Sequence, residues 1–100
     1  MDFHNAKEAM SEIYSDIEEG ADIIMIKPGM PYLDIVKTAS LQIDNPIAVY
    51  QVSGEYAMIQ AAIDKGWLSS DVIYESLIAF KRAGAQLIAS YFAPQIAQEL

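Results

Sequence analysis

Lys27 directly follows four consecutive apolar residues, Ile23-Ile24-Met25-Ile26. An ammonium held beside a dry interior loses hydration, which favours the neutral amine, and a neutral lysine amine is the nucleophile that forms Schiff bases with carbonyl compounds. The plainer alternative is a lysine at a strand end that simply reaches water. Ser53, in Val52-Ser53-Gly54-Glu55, and Tyr91, in Ser90-Tyr91-Phe92, stand in comparable places after apolar runs. A serine hydroxyl with backbone N–H groups at a helix N-terminus favours an anion, although an ordinary N-cap serine fits the same position. The Tyr91 phenol can bond a carboxylate or pack at a barrel rim. Taken together, the three residues fit a site for a small carbonyl compound that carries a carboxylate.

These residues need elements to hold them. Over residues 5–19 the apolar positions Ala6, Ala9, Met10, Ile13, Tyr14 and Ile17 recur at three- and four-residue spacing, which predicts an amphipathic helix. Asn5 caps its start, Glu8 makes something close to a capping box, and Gly20 ends it. Residues 22–26 read as a strand buried on both faces of a parallel sheet, and 27–31 as a loop. A second helix is expected over 32–41, a break at Asp44-Asn45-Pro46, and a strand over 47–52. Ser53-Gly54-Glu55 turns the chain into a third helix from about Tyr56 to Lys65, which Gly66 stops. Ser70 caps a fourth helix over 71–83 closed by Gly84, a last strand covers 86–91, and Pro94 opens a final helix.

The order α, β, α, β, α, α, β, α is that of a right-handed parallel βα architecture. Three such strands cannot close a barrel and leave two sheet edges without partners. A hydrophobic share of 53% in 100 residues is also more than one small core needs. The expectation is a piece of a larger α/β domain. In such folds the chemistry gathers beyond the carboxyl ends of the strands, where Lys27, Ser53 and Tyr91 fall.

Other chemistries are excluded by composition. Fourteen acids against six bases give a formal charge of -8. That charge argues against nucleic-acid binding and against anionic membrane surfaces. With no cysteine, the chain has neither disulfides nor thiolate metal ligands, and a cytoplasmic setting is the default. The N-terminus shows no targeting signal, and no apolar run approaches the roughly 20 residues of a membrane span. His4 is the only histidine, so neither a Ser-His-Asp triad nor a multi-histidine metal site can be built. No Gly-x-Gly-x-x-Gly or P-loop pattern occurs. Met10, Met25, Met30 and Met58 read as packing. Glu8, Glu12, Asp16, Glu18 and Glu19 read mainly as a solvated helix face, with a hydrated Mg²⁺ as the alternative.

Four longer motifs narrow the reading. They are Met25-Ile26-Lys27-Pro28-Gly29-Met30-Pro31-Tyr32-Leu33-Asp34, Tyr50-Gln51-Val52-Ser53-Gly54-Glu55-Tyr56-Ala57-Met58, Glu75-Ser76-Leu77 with Lys81-Arg82-Ala83-Gly84-Ala85, and Ser90-Tyr91-Phe92. In this order and spacing they resemble the C-terminal third of 5-aminolevulinate dehydratase (porphobilinogen synthase), from about Asn5 to Ala97. The resemblance implies the last three parallel strands, with their helices, of a TIM (β/α)8 barrel. It implies an enzyme that condenses two 5-aminolevulinate molecules into porphobilinogen in tetrapyrrole (heme) biosynthesis. It further implies Lys27 as a Schiff-base lysine, Ser53 and Tyr91 as the hydroxyls that hold the same substrate's carboxylate, and Tyr50 as the aromatic wall of that pocket. Glu12 falls on a carboxylate that in many bacterial members holds a hydrated, allosteric Mg²⁺ at a subunit interface, and the family forms large homo-oligomers.

The departures bear on what the chain can do. The family's second Schiff-base lysine, its second carboxylate grip and its metal-binding loop lie outside these residues. Zn²⁺ in a full-length enzyme would therefore find no ligands here. Gln86 stands where the family often has an acid. A whole barrel takes about 250 residues, so residues 1–100 are expected to be a C-terminal fragment, catalytically silent by itself. An inactive interaction module that adds its sheet edges to a partner or to its own copies is the alternative. A class I aldolase is a third reading, against which the second and third motifs speak.

Overall fold

The computed structural model describes residues 5–96. Its elements are α1 (Ala6–Glu18), β1 (Ile24–Ile26), a 3-10 turn (Met30–Tyr32), α2 (Leu33–Gln42), β2 (Ile47–Gln51), α3 (Ser53–Asp64), α4 (Asp71–Ala83), β3 (Leu87–Ser90) and α5 (Ala93–Ile96). The strands form one parallel sheet in the order β1-β2-β3. Ile24 pairs with Ile47 and Ile26 with Val49, while Ala48 pairs with Leu87 and Gln51 with Ser90. Strand order therefore follows chain order without reversal, as in a barrel and unlike a doubly wound sheet.

Helix signals in the sequence act largely as expected. The Asn5 side chain accepts the Glu8 N–H at 3.1 Å. Gly20, Gly66 and Gly84 each follow a helix at positive φ, with hydrogen bonds that return to the last turn, such as Ala21 N–H to Asp16 and Ala85 N–H to Phe80. Two serines differ from expectation. Ser53 does not cap α3 but is its first residue, with Val52 in the cap position. Ser70 makes no side-chain capping bond, and Ser69 Oγ instead accepts the Asp71 N–H at 3.2 Å. Helix α3 consequently begins three residues before the expected Tyr56.

The core lies on one side of the sheet. Ile24, Ile26, Ile47 and Val49 face it from the strands, against Ala9, Met10 and Ile13 of α1, Ile35, Val36 and Ala39 of α2, and Ile73, Leu77 and Phe80 of α4. Such burial is the main favourable term in the fold. Burial of β1 on both faces, expected from its unbroken apolar run, does not occur. Met25, between buried Ile24 and Ile26, is 55% exposed, and Leu87 of β3 is 50% exposed. The opposite face of the sheet is thus uncovered at its two flanking strands and partly apolar, with Ala48 of the central strand buried between them. Part of the surplus of apolar residues seen in the sequence lies here, and the rest is spread over other surfaces: Met58 of α3 is exposed rather than packed, as are Leu41 of α2 and Trp67 and Leu68 after α3.

A polar network crosses the covered side. Gln51, fully buried, donates from Nε2 to Ser76 Oγ at 3.0 Å and accepts from Ser90 Oγ at 2.6 Å, and Ser76 Oγ donates to the Ile73 carbonyl at 2.8 Å. These bonds join β2 to α4 and β3. Gln86 also acquires a role: its Oε1 accepts the Ile47 N–H at 3.1 Å while its own N–H donates to the Ile47 carbonyl at 2.9 Å, starting the pairing of β2 with β3.

Candidate active site

Three adjacent strands deliver their carboxyl ends to one rim. Lys27 comes one residue after β1, Ser53 two residues after β2, and Tyr91 one residue after β3. Side chains alternate across a strand, so Met25, between buried Ile24 and Ile26, faces away from the helices. β1 ends at Ile26, which pairs with Val49, and the exposed Lys27 follows it at the level of the end of β2.

The structure brings Tyr50 and Tyr91 together. The Tyr50 hydroxyl donates to the Tyr91 hydroxyl at 3.4 Å, the long end of such a bond. The hydrogen bond to Tyr91, followed by desolvation, pushes the Tyr50 phenol above its ordinary pKa. The Tyr91 ring lies 5.5 Å from that of Tyr56 in the first turns of α3, and Tyr56 meets Phe92 at 4.5 Å with the rings tilted by 43°. Tyr91 thus leans across the end of β2 toward the helix that Ser53 begins. Tyr50, Ala89, Ser90 and Tyr91 line an open depression of about 340 Å³.

Lys27 and Ser53 are exposed and share the rim, but no hydrogen bond joins either of them to the tyrosine pair among the described residues. Lys27 is exposed at the end of β1 in this chain.

The residue that sequence reasoning missed is Glu55. Although charged, it is only 3% exposed. Its Oε2 accepts N–H groups of Val52 at 2.7 Å and Gly29 at 3.2 Å, and its Oε1 accepts the Met30 N–H at 2.6 Å. The Gly29 N–H also reaches the Tyr50 carbonyl at 3.0 Å. Gly29 permits this closeness, since a Cβ there would lie 2.5 Å from Val49 Cγ1 and 2.8 Å from the Phe80 ring. The only hint in the sequence was an acid three residues into a helix, which signals a cap but not a bond to another loop.

Glu12 is exposed on α1. No group of three or more His, Cys, Asp or Glu side chains among the described residues converges to hold a metal ion. The described residues therefore do not by themselves form a Mg²⁺ cage around Glu12. His4 lies outside the described residues.

A sequential parallel sheet with helices on one face is the arrangement of part of a (β/α)8 barrel. The family model for delta-aminolevulinic acid dehydratase matches residues 1–99. The chain belongs to that family. It is 59% identical over 100 residues to the delta-aminolevulinic acid dehydratase of Archaeoglobus fulgidus and 53% identical over 100 residues to that of Methanothermus sociabilis, covering all of this chain and 31% of each relative. A crystal structure of the Toxoplasma gondii ME49 enzyme in complex with its reaction product porphobilinogen superposes with a TM-score of 0.93 at 44% identity, over 100% of this chain and 29% of that one. The chain thus spans a little under a third of the length of these relatives.

Proposed function

We propose that this chain supplies the C-terminal strands and one of the two substrate sites of an enzyme that condenses two 5-aminolevulinate molecules into porphobilinogen. Support comes from family membership together with one observation: Lys27, Tyr50 and Tyr91 stand at the carboxyl ends of three adjacent parallel strands around an uncovered sheet face. The neutral Lys27 amine attacks the substrate's keto carbon, proton transfer gives a carbinolamine, and loss of one water leaves the imine. The Ser53 and Tyr91 hydroxyls hold the carboxylate so that the keto carbon meets Nζ, and Tyr50 walls the pocket and orients the Tyr91 hydroxyl. Covering the bare face with the remaining barrel strands supplies the desolvation that frees the amine.

The second substrate site lies outside these residues, so the 100-residue chain alone forms no porphobilinogen. Assembly into homo-oligomers, a cytoplasmic setting and a hydrated Mg²⁺ at Glu12, completed by ligands other than this chain's described residues, belong to the same proposal. No helix among the described residues is long and apolar enough to cross a membrane.

The test uses a chimera in which this chain replaces the matching 100 residues of the Archaeoglobus fulgidus relative. Borohydride reduction in the presence of 5-aminolevulinate is expected to leave an adduct on Lys27, lost in Lys27→Arg. Adducts confined to other lysines remove Lys27 from the mechanism, and porphobilinogen formation by the isolated chain refutes the one-site reading. A second reading, an interaction module, draws on the exposed Met25 and Leu87 of the bare face. Sedimentation of the isolated chain separates the two: a defined oligomer indifferent to 5-aminolevulinate favours the module.

A further inference from the structure

We infer that Glu55 is the positioning residue of the lysine rim, a buried clamp that fixes the turn after Lys27 against the turn that carries Ser53. The inference rests on the proposed Schiff-base role of Lys27 and deepens it. Lys27 is bounded by two fixed points. Before it, Ile26 is held in the sheet by pairing with Val49, and two residues after it Gly29 is held by the Tyr50 carbonyl and Glu55 Oε2. The adjoining Met30 N–H takes Glu55 Oε1. The same carboxylate accepts the N–H of Val52, the residue before Ser53. One side chain therefore sets the spacing between the amine and one of the hydroxyls meant to hold its substrate.

The chemistry of the clamp demands a carboxylate. Three backbone donors converge on two oxygens, and each oxygen is used. A glutamine in its place has one acceptor oxygen and turns an NH2 donor toward an N–H donor, whichever way it is flipped. An aspartate, one methylene shorter, keeps the bond within its own turn to Val52 and withdraws from Gly29 and Met30. Glu55 is thus a positioning residue that acts through the backbone on either side of the reacting groups. Misplacement of reacting groups by about 1 Å costs on the order of 100-fold in rate.

The test compares Glu55→Gln and Glu55→Asp with Ser76→Ala, which removes one of the two acceptors of Gln51 Nε2, the other being Met30 Sδ at 3.6 Å, and leaves all three Glu55 bonds in place. In the 100-residue chain, amide exchange of Met30 is expected to accelerate at least ~10-fold relative to β2 amides in both Glu55 variants, with the Val52 amide accelerating only in Glu55→Gln. In the chimera, the rate of Lys27 imine trapping at saturating 5-aminolevulinate is expected to fall on the order of 10- to 100-fold in the Glu55 variants. Ser76→Ala is expected to lower thermal stability yet leave trapping at the wild-type rate. Glu55→Asp carries the test if Glu55→Gln fails to fold. Unchanged Met30 exchange overturns the clamp whatever the chemistry, and wild-type trapping in a folded Glu55 variant, or an equal loss in Ser76→Ala, overturns its link to the lysine. A wild-type chimera with no adduct on Lys27 instead overturns the proposed function and with it the catalytic half of this inference, while the amides still decide the clamp.

Discussion

Replacing Gly29 with alanine isolates one packing contact from every other property of the rim. Gly29 has φ -70° and ψ -48°, a right-handed helical conformation that alanine adopts freely, so no backbone strain enters. Its N–H keeps its acceptors. The new methyl alone matters, and it lands 2.5 Å from Val49 Cγ1 and 2.8 and 2.9 Å from two atoms of the Phe80 ring. Val49 and Phe80 are both at 0% exposure, held between sheet and helices, so neither can swing into solvent. Inserting a methyl into a packed interior costs about 1–3 kcal/mol. Removing glycine's freedom from the unfolded chain returns about 0.4–1 kcal/mol. The net expectation is a loss of about 1–2 kcal/mol. With a urea slope of about 1–2 kcal/mol per molar, the unfolding midpoint of the chain, followed by circular dichroism, falls by roughly 1 M. Adding Val49→Ala makes room for the methyl, and the double variant should be less destabilised than the sum of the single ones by about 0.5–3 kcal/mol. A midpoint that holds or rises in Gly29→Ala, or strict additivity in the double variant, refutes the claim that this glycine is required for close approach.

Other perturbations test other parts of the structure. Tyr91→Phe removes the hydrogen bond that is the largest cause of the raised Tyr50 pKa, so ultraviolet titration should show one tyrosine ionising at lower pH than before. Because that pKa is raised on folding, the associated stabilisation is complete below the ordinary tyrosine value of 10.0 and disappears as pH climbs through the folded value; Tyr91→Phe should flatten the stability profile only in that alkaline range. Gln51→Leu leaves the Ser90 hydroxyl without its acceptor and should cost about 1–3 kcal/mol in urea unfolding. Asn5→Ala removes the cap of α1 and should cost about 1 kcal/mol, visible as lower thermal stability with the imine chemistry of the chimera unaffected.

Where local chemistry decides a feature, the sequence is sufficient to read it. The Asn5 cap, the three helix-ending glycines and the chain order of the strands depend on residues within a turn or two of one another. The rim is legible for the same reason, since the residue that ends an apolar run lies at the end of a strand. What escapes such reading is contact at a distance. Glu55 and Met30 are 25 residues apart, and nothing in either neighbourhood announces the bond. The apolar run at 23–26 misleads in another way: its composition reflects burial on both faces, whereas this chain covers only one. Lys27 is exposed for the same reason. Ser53 resembles a cap because serine is a common one, yet it is the first residue of α3, and the cap position falls to Val52, whose N–H bonds Glu55.

The chain-ordered sheet also bears on how the molecule comes apart. Each strand pairs only with its sequence neighbours, but the helices of the outer units also meet, α2 packing on α4. β2 alone is bonded along both sides, and it anchors Gln51 and Val49 at the centre of the interior. A flank that peels away must therefore break that helix contact as well as one row of strand pairing. Slowest hydrogen exchange belongs to the amides of β2, next to the turn that ends in Ser53. Glu55 and the Tyr50 carbonyl bond the turn after Lys27 to the end of β2, so the amine side of the rim is tied to the central strand by more than sheet pairing and cannot be remodelled without breaking those bonds.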